Sequence, residues 1–191
     1  MKETEQRILE AARRVFGRDG VSGATTREIA RVARVNEVTL FRHFRNKDEL
    51  LRQMVLQSCE RYGQIFAGAS VKSSAEFRRT VRRYAETYAQ KLRENEDMVR
   101  TFMGELKRHL KLCRRLFVES SRTSRQKFIA YLEEAKKAGL VRNNLNAVTA
   151  SDSLTGMLMS GTLRRPLTES TYSHQKYFET SVEIFLKGIE R

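Results

Sequence analysis

Apolar residues recur three and four positions apart along almost the whole chain, and no stretch alternates apolar with polar as a half-buried strand requires. Ile8, Leu9, Ala12, Val15 and Phe16 share one face at that spacing. So do Phe77, Val81, Tyr84, Tyr88 and Leu92, and later Phe178, Val182, Phe185 and Ile189. Proline, which breaks helices by removing a donor and clashing with the preceding turn, occurs once in 191 residues, at Pro166. These features predict an all-α protein.

Capping signals divide the helices. The first, carrying Ile8 to Phe16, is expected to end in the glycine-rich stretch GRDGVSG, residues 17–23. The second opens at TTREIARVA, where Thr25 and Glu28 have capping-box spacing. Asn36 is placed to cap a short third helix with Val38, Leu40, Phe41 and Phe44, and Asn46 with Glu49 opens a fourth that runs from Leu50 towards Tyr62 and Phe66. Two short helices joined by a tight turn behind a longer one form a helix-turn-helix. Longer helices follow: one capped by Ser73, one capped by Asn95 with Phe102 and Met103, one from Leu116 to Ala138 ending at Gly139, one from Ala147 to Leu163, and a last one from Ser173. The chain reads as an N-terminal three-helix helix-turn-helix module, residues 1–47, joined to a larger helical domain, residues 48–191.

Length and charge narrow the partners. A chain of 191 residues can hold a small module and a larger domain with cores of useful size. The formal net charge of +14 favours a polyanionic partner through long-range attraction and counterion release. Residues 1–50 carry 11 Lys/Arg against 8 Asp/Glu, so most of the excess lies elsewhere and side-chain spacing must identify the binding element. Cys59 and Cys113 fall on helical stretches, which argues against a disulfide framework. The opening MKETEQR lacks a signal-peptide core and no stretch reaches membrane-span length, so a soluble cytoplasmic protein with no membrane partner is expected.

The most informative stretch is TLFRHFRNKDELL, residues 39–51. Leu40 and Phe44, four apart, would lock the third helix to its module, leaving Glu37, Val38, Thr39, Arg42 and His43 on the opposite face. Base edges in the major groove differ in donors, acceptors and methyl groups. Arg42 can donate to guanine, Glu37 can accept from cytosine, and Val38 or the Thr39 methyl can touch a thymine methyl. The bland alternative is a solvated face whose Arg42 and His43 merely suit the negative end of the helix dipole. Arg27 and Lys47 tell against it, because each is a cation in the first turn of a helix, where a phosphate would resolve an otherwise unfavourable placement. Arg27 joins Glu37, Val38, Thr39, Arg42 and His43 as the expected base-reading set, while Thr26, Phe41 and Lys47 are expected on phosphates.

ILEAARRVFGRDGVSGATTREIARVARVNEVTLFRHFRNKDELL, Ile8 to Leu51, resembles the N-terminal DNA-binding region of the TetR family of bacterial transcriptional regulators. The A-A-x-x-x-F of the first helix, T-T-R-E-I-A of the second, T-L-F-x-H-F of the third and N-K-D-E-L-L arrive in order over about a quarter of the chain. Arg34 stands where the family usually has a turn glycine, Val38 where glycine or proline is frequent, and Phe41 where tyrosine is usual. The last removes a hydroxyl that commonly touches phosphate.

The resemblance implies a homodimer on a near-palindromic operator of double-stranded DNA, with the remaining helices forming a ligand-binding and dimerisation domain. Leu154, Met157, Leu158 and Gly161, with Phe178, Val182 and Phe185, are the expected dimer interface, packed as an intermolecular four-helix bundle; the alternative is that both stripes fill the subunit's own core. Tyr62, Phe66, Tyr84, Tyr88, Phe102, Met103, Phe117 and Tyr131 are the expected lining of an effector pocket, for each of which plain core packing is the alternative. Residues 72–127 hold 16 Lys/Arg against 7 Asp/Glu, which admits an anionic effector as well as an apolar one. His109 and Cys113, four apart, are too few for a metal site. No cofactor and no catalytic residue is expected, since the chain lacks a phosphate-binding glycine loop and any nucleophile motif. The function predicted is a ligand-responsive repressor released from its operator by a small molecule, with the fourth helix as lever. The alternatives are a constitutive DNA-organising protein without effector, an activator of the same fold, and an enzyme or carrier with an incidental helix-turn-helix.

Overall fold

The computed structural model describes residues 2–59, 65–66, 69–105, 110–164 and 173–191. Among them the α-helices are α1 (Lys2–Gly23), α2 (Thr26–Ala33), α3 (Glu37–His43), α4 (Lys47–Cys59), α5 (Ser74–Glu94), α6 (Glu96–Glu105), α7 (Leu110–Lys137), α8 (Ala147–Arg164) and α9 (His174–Ile189). No helix of the described residues is long and apolar enough to cross a membrane. The all-α reading holds.

The chain forms two compact units, Met1–Glu60 with Asp97–Ser120 (unit 1) and Arg61–Glu96 with Ser121–Arg191 (unit 2). This partition differs from a boundary at residue 47. Leu50, Leu51, Met54 and Val55 of α4, Met98 of α6 and Leu116 of α7 are buried in one cluster with Ile8, Phe16, Ile29 and Leu40. The three helices of the module cannot cover their own apolar faces, so later elements complete their core.

Local chemistry sets most helix ends. The Thr25 side chain accepts from the Glu28 N–H at 3.1 Å, Asn36 from Val38 at 2.9 Å, Asn46 from Glu49 at 2.9 Å, Ser73 from Glu76 at 3.2 Å, Asn146 from Thr149 at 2.9 Å and Ser173 from Lys176 at 3.1 Å. Each satisfies a first-turn N–H that has no partner within its helix. Asn95 departs from expectation. Its amide donates backwards to the Lys91 carbonyl at 2.8 Å, closing α5 rather than opening α6. Helix α1 breaks at Gly20 (φ 76°, ψ 175°), within the glycine-rich stretch expected to end it.

Helices α2 and α7 end in the same way. Arg34 has φ 55°, its N–H donates to the Arg31 carbonyl at 3.1 Å, and Val35 N–H donates to Ala30 at 3.0 Å. Gly139 has φ 73°, with Gly139 donating to Lys136 at 3.1 Å and Leu140 to Ala135 at 3.0 Å. Glycine adopts this left-handed conformation without strain, whereas an L-side chain crowds the following carbonyl. Arg7 secures the strained end: its guanidinium donates to the Ala33 and Arg34 carbonyls at 2.7 and 3.1 Å, a cation at the negative pole of α2.

In unit 2, α8 and α9 pack closely. A Cβ on Gly161 would overlap Tyr177 Cε1 and Cδ1, so glycine leaves room for that ring. The ring's hydroxyl donates to the Met157 carbonyl at 3.0 Å. Several residues of the expected dimer interface take part in packing within the chain. Leu154, Leu158, Phe178, Val182 and Phe185 are all buried within the chain's own core, Gly161 receives Tyr177, and Met157 is half-buried. Side chains already removed from water by their own subunit offer no further apolar surface to a partner. The outward faces of α8 and α9 instead carry Val148 and the 60% exposed Ile184.

Candidate nucleic-acid interface

Helix α3 is held from behind. Leu40 and Phe44 are buried at 0% and 2% exposure in the unit 1 core, as their spacing requires. Phe44 caps the helix in an extended conformation (φ −132°, ψ 123°), and its N–H still donates to the Leu40 carbonyl at 2.9 Å. With these two anchored, Val38, Phe41 and Arg42 are left exposed. Val38 is 60% exposed and Phe41 47%, a cost in apolar hydration that a free surface would not favour. Thr39 and His43 are half-buried, and the His43 ring lies 6.3 Å from that of Phe44.

Arg27, Arg42 and Arg45 are exposed and form no ion pair or hydrogen bond through their guanidiniums among the described residues. Several other arginines of unit 1 pair internally. Arg18 and Arg31 both pair with Glu28, at 3.1 and 2.7 Å, and the Arg31 and Arg18 guanidiniums hold the Glu28 carboxyl down at about 2. Arg52 pairs with Glu119. Arg45 is not among the residues expected at the site; it lies beyond the cap Phe44, outside the helical periodicity that singles out Arg42.

Two of the expected phosphate contacts are placed differently. The Thr26 hydroxyl donates to Glu37 Oε1 at 2.6 Å. A hydroxyl has one proton, so while this bond stands Thr26 cannot also donate to a phosphate. The Lys47 ammonium donates to the Val21 and Ala24 carbonyls at 2.9 and 3.0 Å, which leaves one of its three N–H bonds uncommitted. Neither contact was legible in the sequence, because Lys47 lies 26 and 23 residues from its acceptors and no periodic pattern links them.

The residues expected to line an effector pocket fall in both units. Phe102 packs against the unit 1 core and Met103 is exposed. Tyr62, and the side chains of Phe117, Cys59 and Cys113, lie outside the described residues, as does His109. Phe66, Tyr84, Tyr88 and Tyr131 do come together in unit 2. The Phe66 ring lies 5.3 Å from Tyr84, 5.8 Å from Phe128 and 5.5 Å from Tyr131, and Tyr84 stacks on Phe128 at 4.3 Å. Burial pushes the Tyr84 phenol well above its ordinary range, with Tyr88 reinforcing the shift and Arg125 opposing it. Arg125 grips Asp152 through two hydrogen bonds of 2.7 and 2.8 Å. Tyr131 donates to the Ser70 carbonyl at 3.1 Å.

Comparison with known proteins fits this geometry. The family described as bacterial regulatory proteins, tetR family, matches residues 8–54, and the C-terminal domain described as that of AefR-like transcriptional repressors matches residues 75–188. The HTH-type transcriptional regulator YvkB of Bacillus subtilis (strain 168) is 24% identical over 192 residues, covering 99% of this chain and 98% of that protein. Among solved structures, the fatty acid degradation regulator FadR of Bacillus halodurans superposes with a TM-score of 0.81 at 18% identity, covering 98% of this chain and 97% of that one. FadR of Bacillus subtilis in complex with stearoyl-CoA gives 0.76 at 16% identity, covering 97% and 99%. With a helix-turn-helix whose outer face is free to enter DNA and a C-terminal domain that matches along most of its length, the chain is a DNA-binding transcriptional regulator of the TetR family.

Proposed function

We propose that this regulator is a homodimeric repressor that occupies a near-palindromic operator and leaves it when a small molecule binds unit 2. The observation that carries the DNA half is the α2–α3 face: Arg27, Arg42 and Arg45 without partners among the described residues, next to the exposed Val38 and Phe41. Guanidiniums suit guanine edges and phosphates, and exposed apolar groups suit thymine methyls. Glu37, Thr39 and His43 complete the base-reading set, and Phe41 with the spare donor of Lys47 faces the backbone. Two copies side by side would place two such helices in successive major grooves. For the dimer we propose α8 and α9, with the outward-facing Val148 and Ile184 at the contact.

The effector half is supported by the aromatic cluster of Phe66, Tyr84, Tyr88 and Tyr131 and by the fold shared with a regulator solved with stearoyl-CoA. Apolar rings with phenol groups suit an apolar or anionic ligand. Occupancy can release DNA only through a difference in affinity between two arrangements of the protein.

Selection of bound fragments from random duplex DNA by the full chain tests the reading. A near-palindromic motif bound more tightly than scrambled duplex at moderate salt supports it; equal, steeply salt-dependent affinity for all sequences would mean a DNA-organising protein instead. Screening small molecules for release from the selected duplex then tests the effector half, which fails if saturating ligand leaves operator affinity unchanged.

A further inference from the structure

We infer that Glu37, oriented by Thr26, is a specificity-determining acceptor that selects cytosine at one position of each operator half-site. The inference rests on the DNA-reading role proposed for α3. Glu37 is in the first turn of α3, half-buried, and it is the sole carboxylate of that helix. A carboxylate beside phosphates is repelled, so it favours binding only if a base donor meets it. In the major groove the donors are the exocyclic amines of cytosine and adenine. Adenine sets its amine beside the N7 acceptor, a pattern matched by a side chain that both accepts and donates. A carboxylate only accepts and would meet the N7 lone pair, whereas cytosine offers a donor alone.

Thr26 makes this acceptor a fixed one. Its hydroxyl donates to Oε1 at 2.6 Å, the length of a charge-assisted O–H···O bond, and Oε2 has no hydrogen-bond partner among the described residues. Glutamate otherwise surrenders substantial rotamer freedom on binding. Bonding to Thr26 removes part of that freedom beforehand and leaves Oε2 to receive the base amine. Thr26 is therefore a positioning residue, acting on sequence choice through Glu37 rather than through a phosphate.

The test uses the duplex selected by the full-length protein and a panel carrying each of the four base pairs at every half-site position. At one position the unaltered protein should prefer C·G by about 10-fold or more. Glu37→Gln should move that preference to adenine, since glutamine matches the adjacent amine and N7. Thr26→Val should weaken discrimination at that same position by roughly threefold, a fraction of the full base preference, and Thr26→Ser should restore it. Loss of rescue, an unchanged preference in Thr26→Val, or an unchanged preference at every position in Glu37→Gln overturns the inference while leaving the reading role of α3 intact. Absence of any base preference in the unaltered protein would overturn both, and so separates the two failures.

Discussion

In unit 1 the α2–α3 face keeps Arg27, Arg42, Arg45, Val38 and Phe41 outside the packing, whereas in unit 2 Phe66, Tyr84, Phe128 and Tyr131 are turned in on one another. Both regions attract notice in the sequence through their aromatic and basic residues, yet the same residue types serve opposite ends. Phe41 lies in water because Leu40 and Phe44 already fill the space behind it; Phe128 is wholly buried because helices surround it. A side chain's chemistry is available to a partner only where the chain's own core has no claim on it.

The largest effect expected from breaking this contrast is in stability. Phe128→Ala removes a fully buried ring and should cost about 3–5 kcal/mol, read as a lower thermal midpoint. Arg42→Ala should shift unfolding by no more than about 0.5 kcal/mol while weakening discrimination at particular base pairs by about 1–3 kcal/mol. If Arg42→Ala unfolds the protein and Phe128→Ala does not, the contrast is inverted. Next in size, Gly161→Ala should cost about 1–3 kcal/mol, because its methyl overlaps the Tyr177 ring. A midpoint equal to that of the parent would show that the two helices separate freely.

The two left-handed helix ends sharpen the comparison at a smaller scale. Gly139→Ala should destabilise by about 1 kcal/mol, since it places a Cβ at φ 73°. Arg34→Gly should do the reverse by a smaller amount, because relief of strain is offset by the greater freedom of glycine in the unfolded chain. Denaturant titration of both variants decides the signs. The smallest effect is electrostatic. Glu28 has its carboxyl lowered to about 2 by hydrogen bonds from Arg31 and then Arg18. A depressed carboxylate contributes its stability above its ordinary value near 4.5 and loses it as pH falls through about 2. Unfolding midpoints should therefore fall more between pH 5 and pH 2 for the parent than for Glu28→Gln, and added salt should narrow the gap because the pair is exposed.

Much of this was legible in the sequence wherever the cause is local. The caps at Thr25, Asn36, Asn46, Ser73, Asn146 and Ser173 act on N–H groups two or three residues away, so a short window contains both partners. Asn95 has partners on both sides, and the choice between the Lys91 carbonyl and the next helix is made by backbone geometry that a window does not hold. The stripes of α8 and α9 were visible as stripes. Periodicity tells which face is apolar and not what covers it, so it leaves open whether Leu154 and Val182 meet a second copy or their own chain, in which both are buried. Composition alone does not tell which unit claims Phe102, which packs against the unit 1 core. The link from Thr26 to Glu37 spans eleven positions across a turn and was equally out of reach.

The seat of Lys47 has a further consequence. Its ammonium is moored to the Val21 and Ala24 carbonyls, so the long stem is immobilised when the polypeptide folds rather than when an anion arrives. A dangling lysine would surrender up to about 2 kcal/mol of torsional freedom on capture. Here that loss falls on the resting molecule, and a docking anion meets a charge that is already in place.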